Sequence, residues 1–253
     1  MQLALVLTLS LSLLPLSALA QQRLDAPALS IPASAGVEAL PPLPAPRFVA
    51  PSDIDLARDL PPFPAIGSLA ESADIETMLA LQIRRTKVDE DDAAADSTTN
   101  MVDFTQSLLG SSYSPVTHPK LFGMMRALHD DMRGINRVAN AAHGFRQRPA
   151  VRDTRIRPSL NMSGRSTTSY PSARASSAGV WACVIGGLIP TQLVVAQGKA
   201  EQVGWRRVVG GVHYPSDLAG SRLVIASVCD ALTKSPAFLS ARAEVAAELA
   251  VKR

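Results

Sequence analysis

The chain has 253 residues, 47% of them hydrophobic, which suffices for one domain with a sizeable core behind a targeting segment. Aromatic residues make up only 4%, so the core is expected to consist of aliphatic residues and Met, among which Ala and Leu favour helices. The net charge of +3 is small, and no stacking aromatic residues interleave with the arginines around residues 146–165. Nucleic acid is therefore not an expected partner, whereas a small anion is.

Residues 1–20 are predicted to be a signal peptide. The apolar run from Leu3 to Leu16 is too short to span a bilayer comfortably, and Ala18 and Ala20 fit the small-x-small pattern that precedes a cleavage site. No Lys or Arg stands ahead of the run, so an uncleaved anchor is the alternative. Cleavage predicts a periplasmic or secreted protein without a stable membrane span.

A proline-rich segment follows. More than half of the nineteen prolines lie between Pro27 and Pro64, and proline at this density excludes a regular helix. We therefore predict an extended or disordered leader over residues 21–59 and a globular domain over residues 60–253.

After Pro64 the apolar residues recur at helical spacing, so the predicted fold class is all-α, a helical bundle. Ser68 or Ser72 is a suitable cap for the first helix, and the acidic run at residues 89–92 is predicted to be a solvated loop. Residues 173–189 are apolar on almost every side, which indicates a buried helix. The candidate helices cover residues 68–85, 93–109, 119–143, 173–189, 196–208, 218–232 and 235–251.

The two cysteines, Cys183 and Cys229, both lie in apolar helical stretches. In an oxidising compartment they can pair, and two buried free thiols are the alternative. Neither has the neighbours of a metal site, and no metal is expected.

His213 and Asp217 are four residues apart, so one helical turn places them on the same face. A carboxylate in that position can hold one ring nitrogen, fix the tautomer and raise the basicity of the other nitrogen, as a nucleophile requires. An isolated histidine is more often a satisfied core or surface residue, and that is the alternative.

Three further residues suit an anion. Arg148 and Arg207 can each grip phosphate oxygens through a planar guanidinium, and Arg207 precedes His213 by six residues across a Gly-Gly turn. Ser172 begins the predicted buried helix, where it can act as a cap, as a phosphate ligand or as both.

These residues fall in three segments: residues 145–149 (Phe-Arg-Gln-Arg-Pro), 169–174 (Ser-Tyr-Pro-Ser-Ala-Arg) and 207–217 (Arg-Val-Val-Gly-Gly-Val-His-Tyr-Pro-Ser-Asp). In order and spacing they resemble Lys-x6-Arg-Pro, Pro-Ser-Gly-His and Ser-Arg-x5-His-x3-Asp, the signature of the type 2 phosphatidic acid phosphatase/haloperoxidase superfamily. Residues 60–96 also resemble the N-terminal half of the class A bacterial acid phosphatases. The resemblance covers roughly residues 60–235.

The resemblance implies the helical bundle of that superfamily and a phosphatase that needs no cofactor. His213 would form a phosphohistidine, and Asp217 would orient it. Phosphate would be bound by side chains from all three segments: Arg148, Ser172, Arg207 and Arg174.

Three positions depart from the pattern. Ala141 replaces the Lys, Arg206 replaces the Ser, and Arg174 replaces the His that protonates the leaving group in the superfamily. Arginine does not release a proton near neutral pH, and general acid catalysis is typically worth about 10²–10⁴-fold. We therefore expect impaired activity, least so for aryl phosphates. Arg174 is either an adaptation to a larger anion or a sign of decay, and His143 is an alternative acid.

The leading hypothesis is an exported acid phosphatase that acts on small phosphate monoesters. The first alternative is a non-catalytic phosphate or phosphoester binder on the same scaffold, which turnover would distinguish. The second is a vanadate-dependent peroxidase, which the missing histidine disfavours. A homo-oligomer is compatible with the sequence.

Overall fold

A computed structural model describes residues 42–161 and 168–251. The predicted signal peptide at residues 1–20 and the first part of the predicted leader, residues 21–41, lie outside the described residues. A division of the chain falls after Pro42, and the unit described below begins at Leu43.

The described residues contain ten α-helices, two short 3-10 helices at Pro51–Asp53 and Pro190–Gln192, and no strand. The all-α class predicted from the sequence is confirmed. In chain order the α-helices are α1 (Leu56–Asp59), α2 (Leu69–Arg84), α3 (Lys87–Thr98), α4 (Met101–Leu109), α5 (Pro119–Ala141), α6 (Pro149–Arg152), α7 (Ala173–Leu188), α8 (Leu193–Val209), α9 (Pro215–Lys234) and α10 (Pro236–Val251).

The region predicted as one helix over residues 93–109 is two helices. Asn100 separates them, because its side-chain oxygen accepts hydrogen bonds from the N–H groups of Val102 (2.8 Å) and Asp103 (3.0 Å) and so starts α4. The acidic run at residues 89–92 lies on α3 and is not a loop. Thr86 caps this helix in a reciprocal pair with Asp89, and a carboxylate suits the positive end of the helix dipole.

The buried helix predicted at residues 173–189 is α7, and it lies at the centre of the bundle. It packs against α4, α5, α8 and α9. Small residues allow these close approaches: a Cβ atom on Gly179 would lie 2.1 Å from the Cδ1 atom of Ile225 on α9. Ala178, Val180 and Ile185 are at most 1% exposed, so α7 is apolar on nearly every side.

The residues between Leu43 and Asp59 pack into the same core. Phe48, Val49 and Ile54 are buried, and the Asp131 carboxylate on α5 accepts the backbone N–H groups of Phe48 (2.8 Å) and Val49 (3.1 Å). Burying each such apolar side chain contributes about 1.5–3 kcal/mol. The unit therefore begins at Leu43, before the predicted start at residue 60, because an extended proline-rich segment can still bury its apolar side chains.

A disulfide joins Cys183 on α7 to Cys229 on α9, with Cα atoms 6.6 Å apart. Of the two alternatives that the sequence left open, the structure has the paired form. The bond ties together two of the helices that carry the candidate site.

None of the described helices is by itself long and apolar enough to cross a membrane. Only α9 and α10 taken together satisfy length and composition, and they meet at a bend of 82°.

Candidate active site

The turn between α8 and α9 places His213 at the centre of the candidate site. Gly211 has a φ of 79°, and a Cβ atom there would lie 2.8 Å from the Cα atom of Pro158. Only glycine fits this left-handed turn under a neighbouring backbone. The chain then reverses, and α9 begins at Pro215 with Asp217 in its first turn.

His213 and Asp217 are in contact as predicted and form a dyad, but His213 lies in the turn before α9 and not on one helix with Asp217. The Nδ1 atom of His213 lies 3.1 Å from Oδ2 of Asp217. His213 is 4% exposed and Asp217 is fully buried. The same Oδ2 atom accepts the backbone N–H of Tyr214 (2.9 Å) and the hydroxyl of Ser169 (2.5 Å). The Oδ2 atom is therefore held by three donors, and His213 donates its Nδ1 proton to a fixed acceptor.

Arg148 faces the other nitrogen of the ring. Its Nη1 atom lies 2.6 Å from Nε2 of His213 and 2.9 Å from the carbonyl oxygen of Val212. Because a guanidinium can only donate, Nε2 acts as the acceptor and carries a lone pair. That lone pair is the one a nucleophile needs, and a positive charge stands beside it.

Burial is the main reason that the pKa of His213 falls to about 4. The hydrogen bond to Asp217 opposes this change, whereas the charges of Arg148 and Arg207 add to it. His213 is therefore a neutral imidazole at neutral and mildly acidic pH.

Arg207, on the last turn of α8, is 4% exposed. Its charge acts on His213 together with that of Arg148. The structure thus brings together four of the predicted site residues: His213, Asp217, Arg148 and Arg207.

Ser172 lies against the same dyad as the cap of α7. It is fully buried, its hydroxyl accepts the N–H of Ala175 (3.4 Å), and its own N–H points to the carbonyl of Asp217 (3.4 Å). The start of α7 is therefore tied to the first turn of α9, which places a helix N-terminus beside the dyad.

Arg174, the fourth predicted phosphate ligand, also reaches toward a different part of the molecule. Its Nη1 atom donates to the carbonyl oxygen of Thr99 (2.7 Å), at the junction of α3 and α4. Arg206 points the same way, with Nη1 2.6 Å from Asp96 and Nη2 2.6 Å from Asp92. The arginines at the two positions where the resemblance predicts His and Ser thus bond to the α3–α4 region.

The remaining departure is at position 141, and His143, the alternative acid, lies two residues further along the chain. Ala141 is the exposed last residue of α5. The Nε2 atom of His143 is hydrogen-bonded to the carbonyl of Leu60, so this imidazole links the end of α5 to the segment after α1.

Sequence reasoning did not predict a role for Asp74 and Arg146, although both lie in this site. The Nη1 atom of Arg146 donates to Oδ1 of Asp217 (2.5 Å), and Nη2 donates to Oδ2 of Asp74 (2.9 Å). A signal was present: Glu71, Asp74 and Met78 share one buried stripe of α2, and an acid on an apolar stripe needs a partner.

The described residues contain no group of three or more His, Cys, Asp or Glu side chains that could hold a metal ion.

No family model matches the chain. Among solved structures, it is similar to the crystal structure of the first transmembrane PAP2 type phosphatidylglycerolphosphate phosphatase from Bacillus subtilis. The TM-score is 0.45 and the identity 21%, over 74% of this chain and 89% of that chain. This similarity concerns the fold alone. The description of the candidate site depends only on the contacts within this chain.

Proposed function

We propose that this protein is an exported phosphatase of the PAP2/haloperoxidase type that hydrolyses phosphate monoesters through a phosphohistidine, like the class A acid phosphatases. One observation carries the proposal: a buried, neutral His213 donates Nδ1–H to Asp217 and presents Nε2 toward a guanidinium. That combination suits attack on an anionic phosphorus centre.

In the first step, the Nε2 lone pair of His213 forms a bond to phosphorus as the bond from phosphorus to the ester oxygen breaks. The phosphate oxygens would take the place of Nε2 as acceptors of Arg148 and would be neutralised by Arg207. The imidazole gains positive character when it is phosphorylated, and the Asp217 carboxylate at Nδ1 stabilises it.

The leaving oxygen departs with the electron pair of the broken bond and must gain a proton. Arg174 supplies none, because a guanidinium keeps its protons near neutral pH. Water is then the proton source, so the rate depends on how well the leaving group bears a negative charge. In the second step, water attacks phosphorus, the N–P bond breaks, and inorganic phosphate and neutral His213 are formed.

Export is part of the proposal. The predicted signal at residues 1–20 would deliver the chain to the periplasm or the medium, and the Cys183–Cys229 disulfide is of the kind that persists in oxidising compartments. Small phosphate monoesters are the proposed substrates, and no cofactor is required.

The test is hydrolysis of an aryl phosphate by the purified chain between pH 4 and 7, beside His213→Gln. The control is His118→Gln, which removes a buried histidine that stacks on Tyr113 instead of contacting the dyad. We expect His213→Gln to abolish turnover and His118→Gln to retain it. Turnover that survives in His213→Gln would refute the phosphohistidine mechanism.

A non-catalytic phosphate binder is the second candidate, and Arg174 favours it. The general acid position carries a permanent charge whose guanidinium is bonded to the Thr99 carbonyl. If wild type binds phosphate or vanadate by calorimetry but releases no product from an aryl phosphate, this second function replaces the first.

A further inference from the structure

Arg146 lies between two buried carboxylates, and one of them belongs to the dyad. Nη1 is 2.5 Å from Oδ1 of Asp217, and Nη2 is 2.9 Å from Oδ2 of Asp74. The side chains of Arg146, Asp74 and Asp217 are 6%, 7% and 0% exposed. At this depth solvent screens the charges little, so each one is felt by its neighbours.

Further contacts hold the guanidinium of Arg146 in place. Its Nη1 atom also donates to the hydroxyl of Ser216 (2.7 Å), and that hydroxyl in turn donates to Asp74. The guanidinium carbon lies 3.9 Å from the ring centre of Tyr214. Planar guanidinium groups stack well on aromatic rings, so this contact fixes the orientation of the fork.

The two carboxylate oxygens of Asp217 therefore accept hydrogen bonds from different donors. Oδ1 accepts from Arg146, whereas Oδ2 accepts from His213, Tyr214 and Ser169. Rotation of the carboxylate would break bonds on both sides. Because Arg146 neutralises part of the charge of Asp217, the carboxylate attracts the Nδ1 proton of His213 less strongly than a lone carboxylate would.

We propose that Arg146 and Asp74 are positioning residues, which fix the orientation and charge of the Asp217 carboxylate and, through it, the basicity of His213. This inference rests on the proposed function in taking His213 as the nucleophile. Asp74 balances the charge of Arg146, so that the chain Asp74–Arg146–Asp217 keeps one net negative charge behind the imidazole.

The charged groups around His213 come from several elements. Those that act on it directly or through Asp217 are Asp74 on α2, Arg146 and Arg148 in the segment before α6, Arg207 on α8 and Asp217 on α9. Arg148 and Arg207 lower the pKa of His213 and Asp217 raises it. Loss of the Arg146 charge leaves the Asp217 charge unshared, and the pKa of His213 is then expected to rise.

The experiment is an NMR titration of the imidazole resonances in the full chain, with the His213 signal assigned from its disappearance in His213→Gln. We expect Arg146→Gln to raise the pKa of His213 by about one pH unit, and Arg146→Lys to stay near the wild-type value. The double variant Asp74→Asn/Arg146→Gln conserves the net charge, and it should show a smaller rise of about half a pH unit, because Asp217 again lacks its arginine while the negative charge of Asp74 is also lost.

Arg146→Gln leaves two buried carboxylates without their cationic partner and can fail to fold, so circular dichroism precedes each titration. If Arg146→Gln does not fold, the double variant tests the inference, since it leaves only one buried carboxylate, Asp217, without its cationic partner. If the double variant also fails, Asp74→Asn decides: it keeps the Arg146–Asp217 pair and is expected to lower the pKa of His213 by about half a pH unit.

The inference would be overturned if the pKa of His213 were unchanged in a folded Arg146→Gln or double variant. If neither of these folds, an unchanged pKa in Asp74→Asn would overturn it. The titration reads the imidazole without any substrate. Absence of turnover in wild type would therefore end the proposed enzyme without altering this result, and the two failures are distinguishable.

Discussion

The two sides of the candidate site differ in what their charged residues bond to. On the nucleophile side, between α8 and α9, His213 and Asp217 are held by Arg148 and Arg146 in one buried network. On the leaving-group side, Arg174 bonds to the carbonyl of Thr99 at the α3–α4 junction.

Arg206, next to the predicted phosphate ligand Arg207, shows the same orientation, since Asp92 and Asp96 of α3 neutralise it. Charged residues thus contact His213 at the proposed nucleophile, whereas the arginine at the predicted proton-donor position bonds to the scaffold. Under the proposed function, the difference implies a buried nucleophile without a matching proton donor.

Asp217→Asn should have the largest effect, because it breaks the nucleophile side. An amide can offer its N–H₂ to Nδ1 and favour the wrong tautomer, and it also removes the partner of Arg146. We expect kcat for aryl phosphate hydrolysis to fall by about 10³–10⁴-fold. The matched control is Asp230→Asn, in an exposed pair with Lys234, and it should leave kcat unchanged. A similar loss in both would mean that the effect is not specific to the dyad.

The second-largest effect is expected from acid, which should lower the free energy of unfolding through protonation of His213. The pKa of His213 is about 4 in the folded protein and near 6.5 when unfolded, so between these values the unfolded state binds a proton that the folded state does not. Stability therefore falls as the pH is lowered from 6.5 toward 4, by an amount on the order of 3 kcal/mol.

Urea unfolding of wild type and His213→Gln at pH 7 and pH 4.5 measures this contribution. The free energy of unfolding should fall more in wild type than in the variant, which has no imidazole at this position. Equal losses in both proteins would show that other groups control the acid sensitivity. In the same window, kcat/KM should lose activity only as the pH approaches 4.

Arg174→His tests whether the leaving-group side can be repaired. A histidine there can supply the missing proton, so the rate should rise by up to about 10²-fold for an alkyl phosphate and by less for an aryl phosphate. Arg222→His, in the exposed pair with Glu201, is the matched control and should change neither rate. An equal change for both substrates would contradict a role in protonating the leaving group.

Arg206→Ser should have the smallest effect. It removes the pair with the exposed Asp92, which is worth roughly 0–1 kcal/mol, and the pair with the buried Asp96, which keeps Lys199 at 3.5 Å as a cationic partner. We expect a small decrease in the melting temperature and little change in kcat. A loss of kcat comparable to that of Asp217→Asn would show that this arginine belongs to the nucleophile side after all.

Much of the fold was predictable because its signals are local. Apolar periodicity and caps gave α2, α5 and α7 to within a few residues, and the Pro119 start of α5 is where the sequence places it. The break at Asn100 was missed because the periodicity of the apolar residues continues across it. The side chain of Asn100 can either point to solvent within a continuous helix or cap a new one, and the sequence does not say which. The burial of Phe48 and Val49 was missed because their backbone is held by Asp131, more than eighty residues away.

The sequence by itself determined the all-α class and paired His213 with Asp217, although His213 lies in the turn before α9 and only Asp217 lies on the helix. Only the tertiary structure decided what surrounds that dyad. Asp74 and Arg146 are seventy-two residues apart along the chain, and Arg174 meets Thr99 across seventy-five. Which partner a charged side chain finds depends on how whole helices pack, and burial then determines how strongly that partner is felt.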